Sequence, residues 1–143
     1  MKQEFVDLGL PSGTLWAKHN VKIANKKHFT HSQAIKIAEY LHYNLPSKEN
    51  FEELINLCKW KWMKLFGRVT GYKVTGPNGN YIFLSAAGFY DGTSLDLSGT
   101  CGYYWSTRFS YNDSAYVLGF SSNYKSVYYG SRYCGLSIRL IKR

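Results

Sequence analysis

Glutamate is missing from the chain after Glu53, and the only acids beyond that point are Asp91, Asp96 and Asp113. Two-carboxylate glycoside hydrolysis needs a paired acid and base, and a calcium cage needs several carboxylate oxygens. Asp91 and Asp96, on one loop, are the pair placed to meet a cation. Long apolar runs are also missing. The longest, Tyr81 to Tyr90, is interrupted by Ser85 and Gly88 and is too short to span a bilayer, so no membrane insertion is expected. No apolar region precedes Pro11, so no secretory signal is expected. The three cysteines, Cys58, Cys101 and Cys134, form no CxxC, which excludes a thiol redox motif and a cysteine zinc knuckle. Free thiols are expected, with a Cys101–Cys134 pair left open. GxSxG, HExxH, P-loop and dinucleotide fingerprints are all absent.

What remains is sufficient for a packed core. The 143 residues are 45% hydrophobic and 19% charged, which suits one domain spanning residues 1–143 and rules out wholesale disorder. The net charge is +9, but the excess is diffuse: 12 basic and 6 acidic residues up to position 75, then 6 and 3. Nucleic-acid binding calls for a clustered basic face, so no nucleic-acid partner is expected. All four histidines, His19, His28, His31 and His42, lie in the first third. His28 and His31 have a metal-compatible spacing without further ligands nearby. They are predicted to be solvent-facing polar residues around a helix start. No enzyme activity, metal or cofactor is expected.

Local patterns place the elements. Phe5 to Ala17 reads as strand, turn, strand, with Pro11-Ser12-Gly13 as the turn and an extended piece running from Leu15 to Val21. Thr30 and Gln33 form a capping box, followed by an apolar face of Ala34, Ile37, Ala38 and Leu41 that Asn44-Leu45-Pro46 stops. Ser47 caps a second helix with Phe51, Leu54, Ile55 and Cys58 on one face, and Glu49, Glu52 and Glu53 suit its positive start. Short strands follow Trp60 and Trp62. Gly71–Thr75 and Tyr81–Ser85 flank Gly76-Pro77-Asn78-Gly79, a hairpin signal. Tyr90–Gly102 is predicted to be loop. Tyr103–Phe109, Ala115–Ser121, Ser126–Tyr133 and Leu136–Ile141 are predicted strands. The fold class is α+β, with two helices packed on short antiparallel sheets.

Aromatics are 17% of the chain, and eight of the 13 tyrosines fall between Tyr103 and Tyr133. Tyrosine supplies a rigid contact surface with a polar tip, and it also suits strands, so composition alone leaves a recognition surface and a Tyr-rich sheet both open. Between the strand-like apolar positions sit Arg108, Tyr111, Asn112, Asp113, Asn123, Tyr124, Ser126, Tyr128, Tyr129, Ser131 and Tyr133, with Ser110 and Ser122 beside them. These are the residue types that paratopes use, and they are the candidate ligand-binding residues. Each type is also reachable from an asparagine codon by changing adenines alone. Glu, Gln and Met are not, and none occurs between Tyr103 and Tyr133. That pattern fits adenine-directed diversification.

Val6-Asp7-Leu8-Gly9-Leu10-Pro11-Ser12-Gly13-Thr14-Leu15-Trp16-Ala17 resembles the opening signature of the Fibrobacter succinogenes major paralogous domain family. The resemblance continues through Leu45-Pro46-Ser47, Glu53-Leu54 and Cys58-x-Trp60-x-Trp62. It runs on in Gly71-Tyr72-Lys73-Val74-Thr75-Gly76-Pro77-Asn78-Gly79-Asn80, Ile82-Phe83-Leu84 and Ala86-Ala87-Gly88. Gly102-Tyr103-Tyr104-Trp105-Ser106 and Gly135-Leu136-Ser137-Ile138-Arg139 match its closing part, while residues 22–44 are shorter than the usual insert.

The resemblance implies a C-type-lectin-like fold. It also implies a variable protein of a diversity-generating retroelement from a gut phage or bacterium, which binds a cell-surface protein or glycan. Such proteins are expected on a virion tail or a cell surface. Within the matching stretch, Trp105, Leu118, Phe120, Gly135 and Ile138 fall on scaffold positions and the candidate residues between them. The EPN, QPD and WND motifs of calcium-dependent lectins are absent, and the cysteine pair of formylglycine-generating enzymes has no match. A fixed-specificity carbohydrate-binding or adhesive surface module is the alternative.

Overall fold

The structure is a computed structural model that describes residues 3–65, 69–107 and 114–143. Its strands β1 (Phe5–Asp7) and β2 (Leu15–Ala17) pair antiparallel, and the chain's last strand, β11 (Ile141–Lys142), joins the other side of β2. The two ends of the described chain therefore share one sheet. The Pro11-Ser12-Gly13 turn closes with Gly13 N–H donating to Leu10 O at 2.9 Å, at a positive φ of 76° that favours glycine. Glu53 of the second helix holds that turn, accepting from Ser12 N–H at 3.1 Å and Ser12 Oγ at 2.7 Å.

Helix α1 (His31–Leu41) begins at Thr30 with the expected capping box, and α2 (Lys48–Leu57) begins at Ser47. The second cap is also a capping box, because Asn50 returns the bond from its side chain. α1 ends earlier than Pro46 requires: His42 takes a left-handed conformation, and its N–H closes on Ala38 and Glu39 carbonyls.

Three further antiparallel units follow. β3 (Lys59–Leu65), β4 (Val69–Thr75) and β5 (Tyr81–Ser85) form a meander, so the two-tryptophan segment is itself a strand. Tyr90–Gly102 is not all loop: β6 (Phe89–Asp91) and β7 (Ser94–Asp96) make a small hairpin with Asp91 opposite Ser94. Asp91 and Asp96 then sit at opposite ends of one short ladder. β8 (Gly102–Trp105), β9 (Ser114–Ser121) and β10 (Tyr124–Ser131) form a sheet in the order β10-β9-β8. The predicted strand Leu136–Ile141 is extended but mostly unladdered. It touches its neighbours through isolated bridges such as Phe29 with Leu136 and Tyr104 with Ser137, and only Ile141–Lys142 is a strand.

The β8–β10 sheet separates two cores. On one face Tyr104, Leu118 and Phe120 pack with Trp16, Phe51, Leu54, Tyr72 and Leu84. On the other, Trp105, Ala115 and Val117 pack with Phe29, Ala34, Ala38, Ile138 and Leu140. A strand covered on both sides buries consecutive residues, which is why Val117 to Phe120 are all buried despite their alternating appearance. The scaffold positions Trp105, Leu118, Phe120 and Ile138 are fully buried.

His28 and His31 correct the sequence reading. His31 is completely buried, with Nε2–H donating to Ser106 O at 2.8 Å and its ring edge-on to Trp105 at 5.0 Å. His28 is half-buried, donates to Ala87 O at 2.8 Å and meets the Tyr90 ring at 5.1 Å. The apolar body of imidazole fills the space beneath the α1 start, and a carbonyl satisfies its N–H. Burial, and next to it the Arg132 charge, lower the His31 pKa against the opposing Ser106 hydrogen bond. The unfolded chain then binds the extra proton, so stability is complete above the ordinary histidine pKa of about 6.5 and falls as pH drops below it. Thermal denaturation between pH 7 and 5 is expected to show this loss, and His31→Gln is expected to flatten it. An unchanged slope in that variant would assign the acid sensitivity to other groups.

Candidate ligand-binding face

Among the described residues β10 pairs with β9 alone, as an edge strand, and the chain enters it by a tight turn at Ser122-Asn123 in which Asn123 N–H donates to Ser121 Oγ at 3.2 Å. Strand alternation sorts the candidate residues onto two sides. Tyr124, Ser126 and Tyr128 point the same way as Tyr103, Gly119 and Val117. Lys125, Val127, Tyr129 and Ser131 point with Tyr104, Tyr116, Leu118 and Phe120. The rings therefore border the free edge of the sheet from both sides.

Their exposure differs from that of the frame behind them. Tyr124 is 43% exposed, Tyr128 36%, Tyr129 55% and Tyr133 69%, while Asn123, Ser126 and Ser131 are exposed as well. Arg108, Tyr111, Asn112 and Asp113 lie outside the described residues.

The first side is built around Gly119. A Cβ there would run into the Tyr128 ring, so the missing side chain lets that ring lie against the sheet. The side chains of Tyr128, Tyr103 and Cys101 lie close together on this side. Burial, then the neighbouring Tyr124 and Cys101, push the Tyr128 hydroxyl up to about 12, and burial pushes Tyr103 up as well. Both phenols keep their protons at neutral pH and present uncharged donors and acceptors.

The second side carries charge over rings. Tyr129 packs on Tyr116 at 5.1 Å, and Lys48 of α2 lies 5.3 Å from the Tyr116 centroid. Lys125 sits over Trp60 and Tyr72 at 5.5 and 5.6 Å.

Several contributors carry no strong sequence signal: Tyr103, Tyr116 and Cys101 look like ordinary strand or core residues, and only register brings them to β10. Tyr133 lies beyond the strand and, with His28, Tyr90 and Leu95, lines a cleft of about 720 Å³. The three cysteines are free, Cys101 buried and the other two half-buried. Burial and the nearby Glu53 push the Cys58 thiol up to about 11, which leaves it unreactive at neutral pH.

Among the described residues no group of three or more His, Cys, Asp or Glu side chains is placed to hold a metal ion, and no helix is long and apolar enough to cross a membrane. The arrangement offers aromatic faces, hydroxyls and amides on a stiff support, the chemistry of non-covalent recognition. Comparison with protein-family models, curated proteins and solved structures finds no match.

Proposed function

We propose that this protein is a non-enzymatic ligand-binding domain of C-type-lectin-like fold, whose tyrosine-rich C-terminal edge contacts a protein or glycan on a cell surface. In this reading it is the target-binding variable protein of a diversity-generating retroelement, carried on a phage tail or a cell surface. The observation that carries the proposal is the contrast across β9 and β10: consecutive residues of β9 are sealed in two cores while Tyr124, Tyr128 and Tyr129 stand at the edge beside them. Residues at the edge of a core can differ at smaller cost to the frame than Leu118 and Phe120, which are sealed within it. The residue types support the same reading, since Tyr, Ser and Asn combine rigid aromatic anchoring with adaptable hydrogen bonding.

Sequencing the source locus tests the variable-protein reading. An adenine-containing near-repeat of the segment encoding residues 105–139, next to a reverse transcriptase gene, is the expected finding. A solitary gene with neither would leave a binding module of fixed specificity.

A further inference from the structure

A second site lies away from the tyrosine edge. A cavity of about 780 Å³ opens between the 18–22 segment, β5 and the closing segment 136–139. That volume suits a small ligand. At its base is Arg139, 2% exposed, whose Nε donates to Asn20 Oδ1 at 2.8 Å, one terminal nitrogen to Ala17 O at 3.1 Å and the other to Phe83 O at 2.6 Å. The Tyr104 hydroxyl lies beside it. All of these partners are neutral. Among the described residues no carboxylate pairs with Arg139, and none lines the cavity. A buried cation without a counter-charge is costly, and natural interiors pair it or bring it an anion.

Independent features point to an anion as the ligand. Ser137 lines the cavity and is 1% exposed, its backbone is spent on Tyr103 and Trp105, and its Oγ has no hydrogen-bond partner. Buried hydroxyls are normally satisfied, so an unspent one in the cavity that Arg139 also lines is placed to serve a ligand. Asn20 and Ser85, linked to each other and to Tyr104 at 3.0 to 3.3 Å, fix the polar floor, and Phe83 and Ile82 supply apolar wall. Lys18, Lys22 and Lys27 stand at the mouth, Lys18 sharing its charge with Glu4 at 3.8 Å. A cleft lined by one sign of charge concentrates ions of the other.

We infer that this cavity binds a small oxyanion, a carboxylate or sulfate group on a sugar-sized body, with Arg139 as its buried counter-charge and Ser137 Oγ as a donor to it. The site is independent of the tyrosine edge. Glucuronate, inorganic sulfate and neutral glucose, titrated into the whole chain and followed by amide and Arg139 Nε chemical shifts, test it and separate a carboxylated sugar from a free anion. Shifts at Asn20, Ser85, Ser137 and Arg139 with glucuronate or sulfate, and none with glucose, are expected. Ser137→Ala is expected to weaken that affinity about tenfold while leaving the melting temperature equal or higher, because it removes a hydroxyl the fold does not use. Lys22→Gln with Lys27→Gln is expected to weaken it several-fold and reduce its salt dependence. Silence to all three compounds, an equal response to glucose, or unchanged affinity in Ser137→Ala would overturn the inference. Alanine at Tyr124, Tyr128 and Tyr129 leaves it intact.

Discussion

Replacing Tyr124, Tyr128 and Tyr129 together by alanine is expected to lower target affinity at least about a hundredfold while the protein still unfolds in one cooperative transition. Aromatic anchors at the centre of a recognition surface each cost about 2 kcal/mol or more when truncated, and a tenfold change in affinity is about 1.4 kcal/mol. The stability cost is separate and smaller. The three rings face Ser121, Val117 and Tyr116 across the β9–β10 ladder, and cross-strand pairs contribute roughly 0.2–1 kcal/mol each, so about 0.6–3 kcal/mol is lost in all. Binding to a glycan array and to intact bacterial cells, measured beside thermal denaturation, reads both quantities. Collapse of the fold in the triple variant would mean that these rings belong to the core, and a folded variant with unchanged binding would place recognition elsewhere.

Phe120→Ala should do the reverse. Phe120 lies across Gly102, where a Cβ would strike its ring, and it is surrounded by Tyr72 at 5.3 Å, Tyr104 at 6.0 Å, Trp60 at 6.2 Å and Trp62 at 6.4 Å. Truncating a buried phenylalanine costs about 3–5 kcal/mol, since the contacts of the ring are lost and the cavity closes only in part. For a chain of this length the melting temperature should fall by on the order of 10 °C. Below that new midpoint the tyrosine edge is intact, so target affinity is expected to stay within about threefold of the parent protein. A melting temperature that barely moves would contradict the close packing of this aromatic cluster. Together the two variants separate frame from surface on a single sheet.

The two-sided packing of that sheet also explains which local patterns were informative. Both helix starts are legible from a few adjacent residues, because a Thr30 or Ser47 side chain reaches only to the third residue of its own helix. The Gly76-Pro77-Asn78-Gly79 hairpin is legible for the same reason. Alternation was less informative where burial is double: Val117, Leu118, Gly119 and Phe120 are all sealed, and 136–141 is buried throughout without forming a continuous strand. The β6–β7 hairpin hid within a Gly-, Ser- and Asp-rich stretch. Its edge is tied by Tyr90 exchanging backbone hydrogen bonds with Gly135 at 2.9 Å, a partner that local composition does not reveal.

The candidate residues divide along the same line. That the segment from Tyr103 to Tyr133 is rich in rings and hydroxyls and holds no Glu or His is a property of composition. Which rings meet is a property of register: one residue of slip along β9 would exchange the two sides of β10 and part Tyr128 from Gly119 and Tyr103.

By itself the sequence determined the α+β class, the two capped helices, the central hairpin and the concentration of recognition-type residues near the C-terminus, because each rests on bonds or periodicities spanning a few neighbouring positions. The burial of His31 against Ser106, the Arg139 clasp on Ala17, Asn20 and Phe83, and the unspent Ser137 hydroxyl were decided only by the tertiary structure. Those contacts join residues from 56 to 122 positions apart. Whether a polar group ends in water, in a hydrogen bond or in an empty cavity depends on which distant segment is packed above it.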